Sequence, residues 1–234
     1  MKEELRKIIA SFKVSLFFVA IMWAVKIVEV VLNISFSSYG VLPRETSGLK
    51  GILFSPFIHG DFYHLFDNSI PLLALGTLLF YFYRKIAWEA SLLILLMSGF
   101  WLWIIGRPSY HIGASGFIYG LAAFLFFSGI FRRNGRLLTI SLLVVFLYGS
   151  LIWGIFPIEQ HISWEGHLTG GIAGAVIAWF YRKQGPAKPE PVVLEEPDES
   201  DPYWLEDGNN NEEQRQPYKI YRYHFRKNDE GDVL

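Results

Sequence analysis

The chain contains no cysteine in 234 residues, which removes disulfides, thiolate metal sites and cysteine nucleophiles and leaves the redox compartment open. It has no basic stripe and no nucleic-acid motif, so no nucleic-acid partner is expected. No HExxH pattern occurs, and carboxylates are scarce around His59, His64, His111, His161 and His167. A metal-dependent protein is therefore an alternative with a thin ligand supply, and no metal or other cofactor is expected. Neither an internal repeat nor paired broken helices are visible, which argues against a transporter. The N-terminus is charged, and its apolar run is long with no small-residue cleavage site, unlike a cleavable signal.

What is present is apolar. Hydrophobic residues make up 52% of the chain and the mean hydropathy is +0.28, too apolar for an ordinary soluble domain. Six stretches approach membrane length: 12–32, 65–83, 87–106, 115–131, 137–155 and 167–181. The expected fold is an all-α, six-span membrane bundle over 1–183, followed by a short tail, 184–234. Basic residues gather on one side, at the N-terminus, at Arg84-Lys85, Arg132-Arg133 and Arg182-Lys183; Arg44, Lys50 and Arg107 lie on the other. The positive-inside rule then puts both termini in the cytoplasm.

Near the outer end of the first span, Lys26 and Glu29 share a helical face, and snorkelling to the interface is the expectation preferred over pairing. The connection 33–63 is glycine- and proline-bearing yet too apolar for a solvated loop, so it should fold partly into the membrane interface. Beyond 184 the composition changes. Residues 186–201 read as a disordered, acidic, proline-rich linker. Within 217–227, residues 219–227 alternate aromatic and basic side chains, which suits a short strand, a segment lying on anionic lipid, or equally a solvated tail without function.

The chemistry-bearing residues sit at one depth. Asn68, Ser115 and His167 precede the three basic pairs by 16, 17 and 15 residues. At ~1.5 Å per residue all three fall roughly 22–26 Å above the basic face, a few Å below the opposite surface of a core about 30 Å thick. Polar groups at that depth are costly and usually functional. A serine hydroxyl needs a base to become a nucleophile, and imidazole suits neutral pH. Small residues would let the two helices approach: Gly116 and Gly120 on one, Gly170, Gly171 and Gly174 on the other. Asn68, with His64 one turn above it on the same face, and the N–H groups opening the Ser115 helix are candidate oxyanion donors. Tyr119, four residues after Ser115, could hold the imidazole by stacking. Phe117 breaks the G-x-S-x-G elbow of soluble hydrolases, and no carboxylate lies at this depth beside His167, so a Ser–His dyad is expected.

Taken together, Gly-Ala-Ser115-Gly116 opening the fourth span, His64 with Asn68 on the second, His59 before them, Tyr119, and His167 with its glycines on the sixth resemble the rhomboid family of intramembrane serine proteases. The resemblance runs from about Gly51 to Tyr181. It implies Ser115 as nucleophile, His167 as general base, Asn68, His64 and backbone amides as the oxyanion hole, and a structural His59 bonding the first outer loop. It also implies cleavage of other proteins' transmembrane segments, where their helices are destabilised, near the outer membrane surface. The first outer loop departs from many rhomboids in lacking a Trp-Arg pair, which bears on loop anchoring and not on the chemistry. The alternative within the same fold is a catalytically silent protein that binds client transmembrane helices. A cysteine-free, compact six-span plan suits a bacterial cytoplasmic membrane.

Overall fold

The computed structural model describes residues 2–132, 135, 137–139, 142, 154–158 and 162–186. The expected fifth span, 137–155, lies mostly outside the described residues, as does nearly all of the tail, including 217–227. The described part is helical: α1 (Lys2–Leu32), α2 (Gly51–Phe54), α3 (Phe62–Phe82), α4 (Ala87–Ile105), α5 (Ser115–Arg132) and α6 (Trp164–Phe180). Among them α1, α3, α4 and α5 are long and apolar enough to cross a membrane.

Element boundaries shift from the sequence reading for local reasons. α1 begins at Lys2, so the charged lead is continuous with the first span. α3 starts earlier than expected because Asp61 caps it, its Oδ1 accepting from His64 N–H at 2.8 Å. α6 likewise begins at Trp164, where Ser163 Oγ accepts from Gly166 N–H at 3.3 Å. His167 therefore lies inside the first turn of its helix and does not open it.

The bundle is apolar both inside and outside, with a few polar side chains buried between its helices. On α3 the buried stripe is Leu65, Asn68, Ser69, Leu72, Leu75, Gly76 and Leu79, spaced as one helical face. Ser69 Oγ donates to Leu65 O at 2.7 Å and accepts from Trp23 Nε1 of α1 at 3.1 Å, so a hydroxyl joins the two helices. Outward, Phe17, Val31, Tyr63, Phe66, Trp88 and Phe180 are all more than half exposed, a surface that only a lipid environment would solvate well. α1 packs on α3, α4 packs on α5 and α6, and the α5–α6 contact is the most extensive. A short turn, Ile86 N–H to Tyr83 O at 2.9 Å, reverses the chain between α3 and α4. The end of the bundle bearing Ser115 is called the upper end below.

The upper loop between α1 and α3 is folded, not floppy. A Cβ at Gly51 would lie 2.1 Å from the Gly40 carbonyl carbon, and one at Gly48 2.2 Å from Leu42 O. Two loop strands thus touch backbone to backbone, a contact only glycine permits. Val41 pairs with His111 through two backbone bonds of 2.9 and 2.8 Å, joining this loop to the one before α5. Leu49, Leu53 and Phe54 remain exposed on it.

Lys26 and Glu29 do not snorkel. Lys26 Nζ lies 3.3 Å from Glu29 Oε2 and donates to His59 O (3.0 Å) and Gly60 O (2.8 Å). Glu29 Oε1 accepts from Phe36 N–H at 2.7 Å. With side chains only 12% and 5% exposed, the pair is a buried tie between α1 and both ends of the loop. The loop carbonyls supply the extra bonds that a buried pair requires.

Candidate active site

Gly113 delivers the chain to Ser115. Its φ of +105° is a left-handed conformation that side chains resist, and a Cβ there would meet the His64 ring at 2.7 Å. Its N–H donates to Ser55 O at 2.9 Å. His64 is thereby laid against the backbone two residues before Ser115. α5 then begins, with Ile118 N–H bonding to Ala114 O at 2.9 Å. The N–H groups of residues 115–117 stand at its open end, beyond reach of an intrahelical acceptor.

Ser115 Oγ and His167 Nε2 are 2.8 Å apart. The other ring nitrogen, Nδ1, is 2.8 Å from Gly154 O. A carbonyl can only accept, so Nδ1 carries the proton and Nε2 presents its lone pair to the serine hydroxyl. Tyr119 stacks on the imidazole at 4.2 Å between centroids and 6° between planes. At Gly154 a Cβ would lie 2.1 Å from the Tyr119 hydroxyl and 2.9 Å from His167 Nδ1. Only a residue without a side chain can bring its carbonyl this close.

The two helices meet on their glycines. A Cβ at Gly170 would lie 1.9 Å from Gly116 O, and one at Gly174 2.0 Å from Gly120 O. A Cβ at Gly120 would lie 2.3 Å from the Ile94 side chain of α4 and 3.2 Å from Gly170 O. Gly171 does not share this role: nothing lies within 4 Å of its Cβ position. It sits one residue, about 100°, around from Gly170 and so leaves the buried face.

Asn68 is buried on α3, and its Nδ2 donates to His64 O at 2.8 Å. That fixes the amide and leaves its second N–H uncommitted to that bond. His59 holds the loop through its own carbonyl on Lys26 and packs its ring edge-on to His64 at 5.0 Å. Burial pushes the His59 imidazole down to about 3, with the His64 ring contributing. Burial also lowers His111, in the loop before α5. A cavity of about 40 Å³ opens beside Ser115, lined among others by Ser55, Ser98, His111 and Ser163, large enough for water. Among the described residues no three histidines or carboxylates converge as a metal site.

The rhomboid domain matches residues 46–184, more than half of the chain. The chain belongs to the rhomboid family. Uncharacterized proteins of Mycobacterium tuberculosis (strain H37Rv) and Mycobacterium bovis are each 37% identical to it over 173 residues, covering 70% of this chain and 72% of theirs. One of Mycobacterium leprae is 34% identical over 173 residues, 70% of this chain and 68% of its own.

Within this rhomboid domain the structure brings Ser115, His167 and Tyr119 together, with His64 against Gly113 and Asn68 a turn below it. Reading the sequence missed Gly154, whose only sign was a glycine inside an apolar run. It also missed Arg107, Ser163 and Glu165 as a group. Opposite charges in the two leads to the Ser115 and His167 helices, and a serine three residues before Gly166, were the available signals.

Proposed function

We propose that this chain is an intramembrane serine endopeptidase working through a Ser115–His167 dyad. The observation that carries the reading is the 2.8 Å Oγ–Nε2 contact on an imidazole whose tautomer is set by Gly154 O. Ser115 Oγ attacks the scissile carbonyl while its proton passes to His167 Nε2. The imidazolium then protonates the leaving amine, giving an acyl-enzyme and the first product. A water, for which the cavity beside Ser115 has room, gives its proton to Nε2 and attacks the ester. Collapse releases a carboxylic acid product and returns the proton to Ser115. The oxyanion formed in each step is met by the α5 N–H groups, the free Asn68 amide proton and His64.

The substrates of this reading are transmembrane segments of other membrane proteins with destabilised helices, because a helical peptide bond is shielded by its own backbone. The membrane domain has six spans over 1–183 with both termini cytoplasmic, the tail follows from 184, and the site opens just below the outer surface of a bacterial cytoplasmic membrane.

The test is labelling of the membrane-embedded protein with a fluorophosphonate, together with cleavage of a single-span reporter. Wild type should label at Ser115 and cleave; Ser115→Ala and His167→Ala should insert normally and do neither. Cleavage undiminished in either variant refutes the assignment, and a wild type that neither labels nor cleaves points to a helix-binding protein without catalysis.

A further inference from the structure

Glycine faces decide how near α5 and α6 come, but not where along one another they stop. Small residues let the two backbones approach, and lower down Phe131 meets Trp179, but the 2.8 Å hydrogen bond between Ser115 and His167 tolerates well under ~1 Å of slip. The register has to be set elsewhere. Immediately above the dyad, four side chains join the leads of the two helices. Arg107, eight residues before Ser115, places Nε 3.6 Å from Glu165 Oε1, two residues before His167. Its Nη2 donates to Ile162 O. His111, four residues before Ser115, donates from Nε2 to Arg107 O at 3.1 Å, so its Nδ1 accepts the Ser163 hydroxyl at 2.6 Å. Ser163 Oγ in turn caps α6 through Gly166 N–H.

These contacts have little freedom. Glu165 and His111 are each only 4% exposed. Arg107 is the cation paired with the buried Glu165 carboxylate, so letting it swing away would strand a buried charge. On its far side His111 is bonded to the backbone of Val41, which anchors the clasp to the first upper loop. The segment that carries Ser115 is therefore held between two fixed bodies.

We propose that Arg107, His111, Ser163 and Glu165 form a clasp that sets the axial register of Ser115 against His167. They are positioning residues, acting through the two helix leads. The effect of the clasp on rate rests on the protease reading, but the geometry it asserts can be read without any activity. In full-length protein labelled with 15N-histidine and held in nanodiscs, the His167 Nε2 resonance reports the bond from Ser115, and Ser115→Ala supplies its position when that bond is lost. Arg107→Ala and Glu165→Gln should each move the resonance most of the way to that position. They should slow fluorophosphonate labelling by about 10- to 100-fold, and leave the melting temperature within a few degrees of wild type. The charge exchange R107E/E165R should regain roughly tenfold or more of the lost rate. His111→Gln, whose amide can both donate and accept, should lose less than His111→Ala. An unmoved His167 resonance with wild-type labelling in R107A and E165Q overturns the clasp. So does a shift that comes only with global melting, or an exchange that regains nothing. A wild type that never labels defeats the protease reading alone, and the His167 resonance then still decides the clasp.

Discussion

Gly170 and Gly171 are adjacent glycines on the helix that carries His167, and they should respond oppositely to the same added methyl group. A Cβ at Gly170 would lie 1.9 Å from Gly116 O, where carbon and oxygen need about 3.3 Å. The helices must part by about 1.4 Å, the difference between those two distances. Gly116 adjoins Ser115, and Gly170 is one turn from His167 on the same face. If only half of that displacement reaches the dyad, the 2.8 Å contact becomes about 3.5 Å, the edge of a hydrogen bond. Misplacement of that order costs about 10²-fold in rate, so Gly170→Ala should lose labelling and reporter cleavage by roughly that factor. Gly171→Ala meets nothing within 4 Å and should retain wild-type rates, with stability unchanged or slightly raised as alanine replaces glycine in a helix. Labelling kinetics in native membranes measure both variants side by side. Wild-type labelling by Gly170→Ala, or equal damage by Gly171→Ala, would refute the glycine-contact account of how the dyad is held.

Gly154→Ala should be nearly as damaging as Gly170→Ala, because its Cβ would fall 2.1 Å from the Tyr119 hydroxyl; retained activity would show that the carbonyl is not what orients His167. Tyr119→Ala removes the ring stacked at 4.2 Å, an interaction of about 0.5–1.5 kcal/mol, and should lower kcat by about 2- to 12-fold with KM unchanged. Acidification should destabilise the fold through His59, whose folded pKa of about 3 lies below its ordinary 6.5. The unfolded chain binds the proton first, so stability is full above about 6.5 and declines as pH falls toward 3, by roughly 2 kcal/mol at pH 5. Thermal melts at pH 7.5 and pH 5 should show that loss in wild type and less of it in His59→Asn; equal slopes in the two proteins would remove His59 as its source.

What could be read from the sequence was what periodicity and depth encode. Counting from the basic pairs placed Asn68, Ser115 and His167 at one level, and the i, i+3, i+4, i+7 spacing put Gly170 and Gly174 on the histidine's face. The same counting over-assigned Gly171, since a run of two glycines does not say which one faces the partner. Contacts made across loops were invisible for a different reason. Lys26 was expected to snorkel because nothing local reveals that the carbonyls of His59 and Gly60, more than thirty residues on, come to meet it. Gly154 was missed because its contribution is a backbone carbonyl, which every residue possesses, combined with an absent side chain. Arg107 and Glu165 are 58 positions apart and pair only because α5 and α6 lie side by side.

The use of a carbonyl in place of a carboxylate behind His167 follows from where the site lies. A third acidic group would hold the same tautomer, but in an apolar bundle its charge would need a compensating cation and several donors, or the site would bear a desolvation cost of several kcal/mol. Gly154 O fixes Nδ1–H with no net charge to solvate. The carbonyl gives up the stabilisation that a carboxylate offers to the imidazolium, so on the proposed chemistry more must come from geometry: the Tyr119 stack, the glycine contact and the clasp above it. That is also why Glu165, a buried carboxylate two residues before His167, has its charge matched by Arg107 rather than directed at the ring. A dyad organised in this way should be sensitive to helix spacing, and sensitive to Glu165 only through the helix register that its pairing with Arg107 sets.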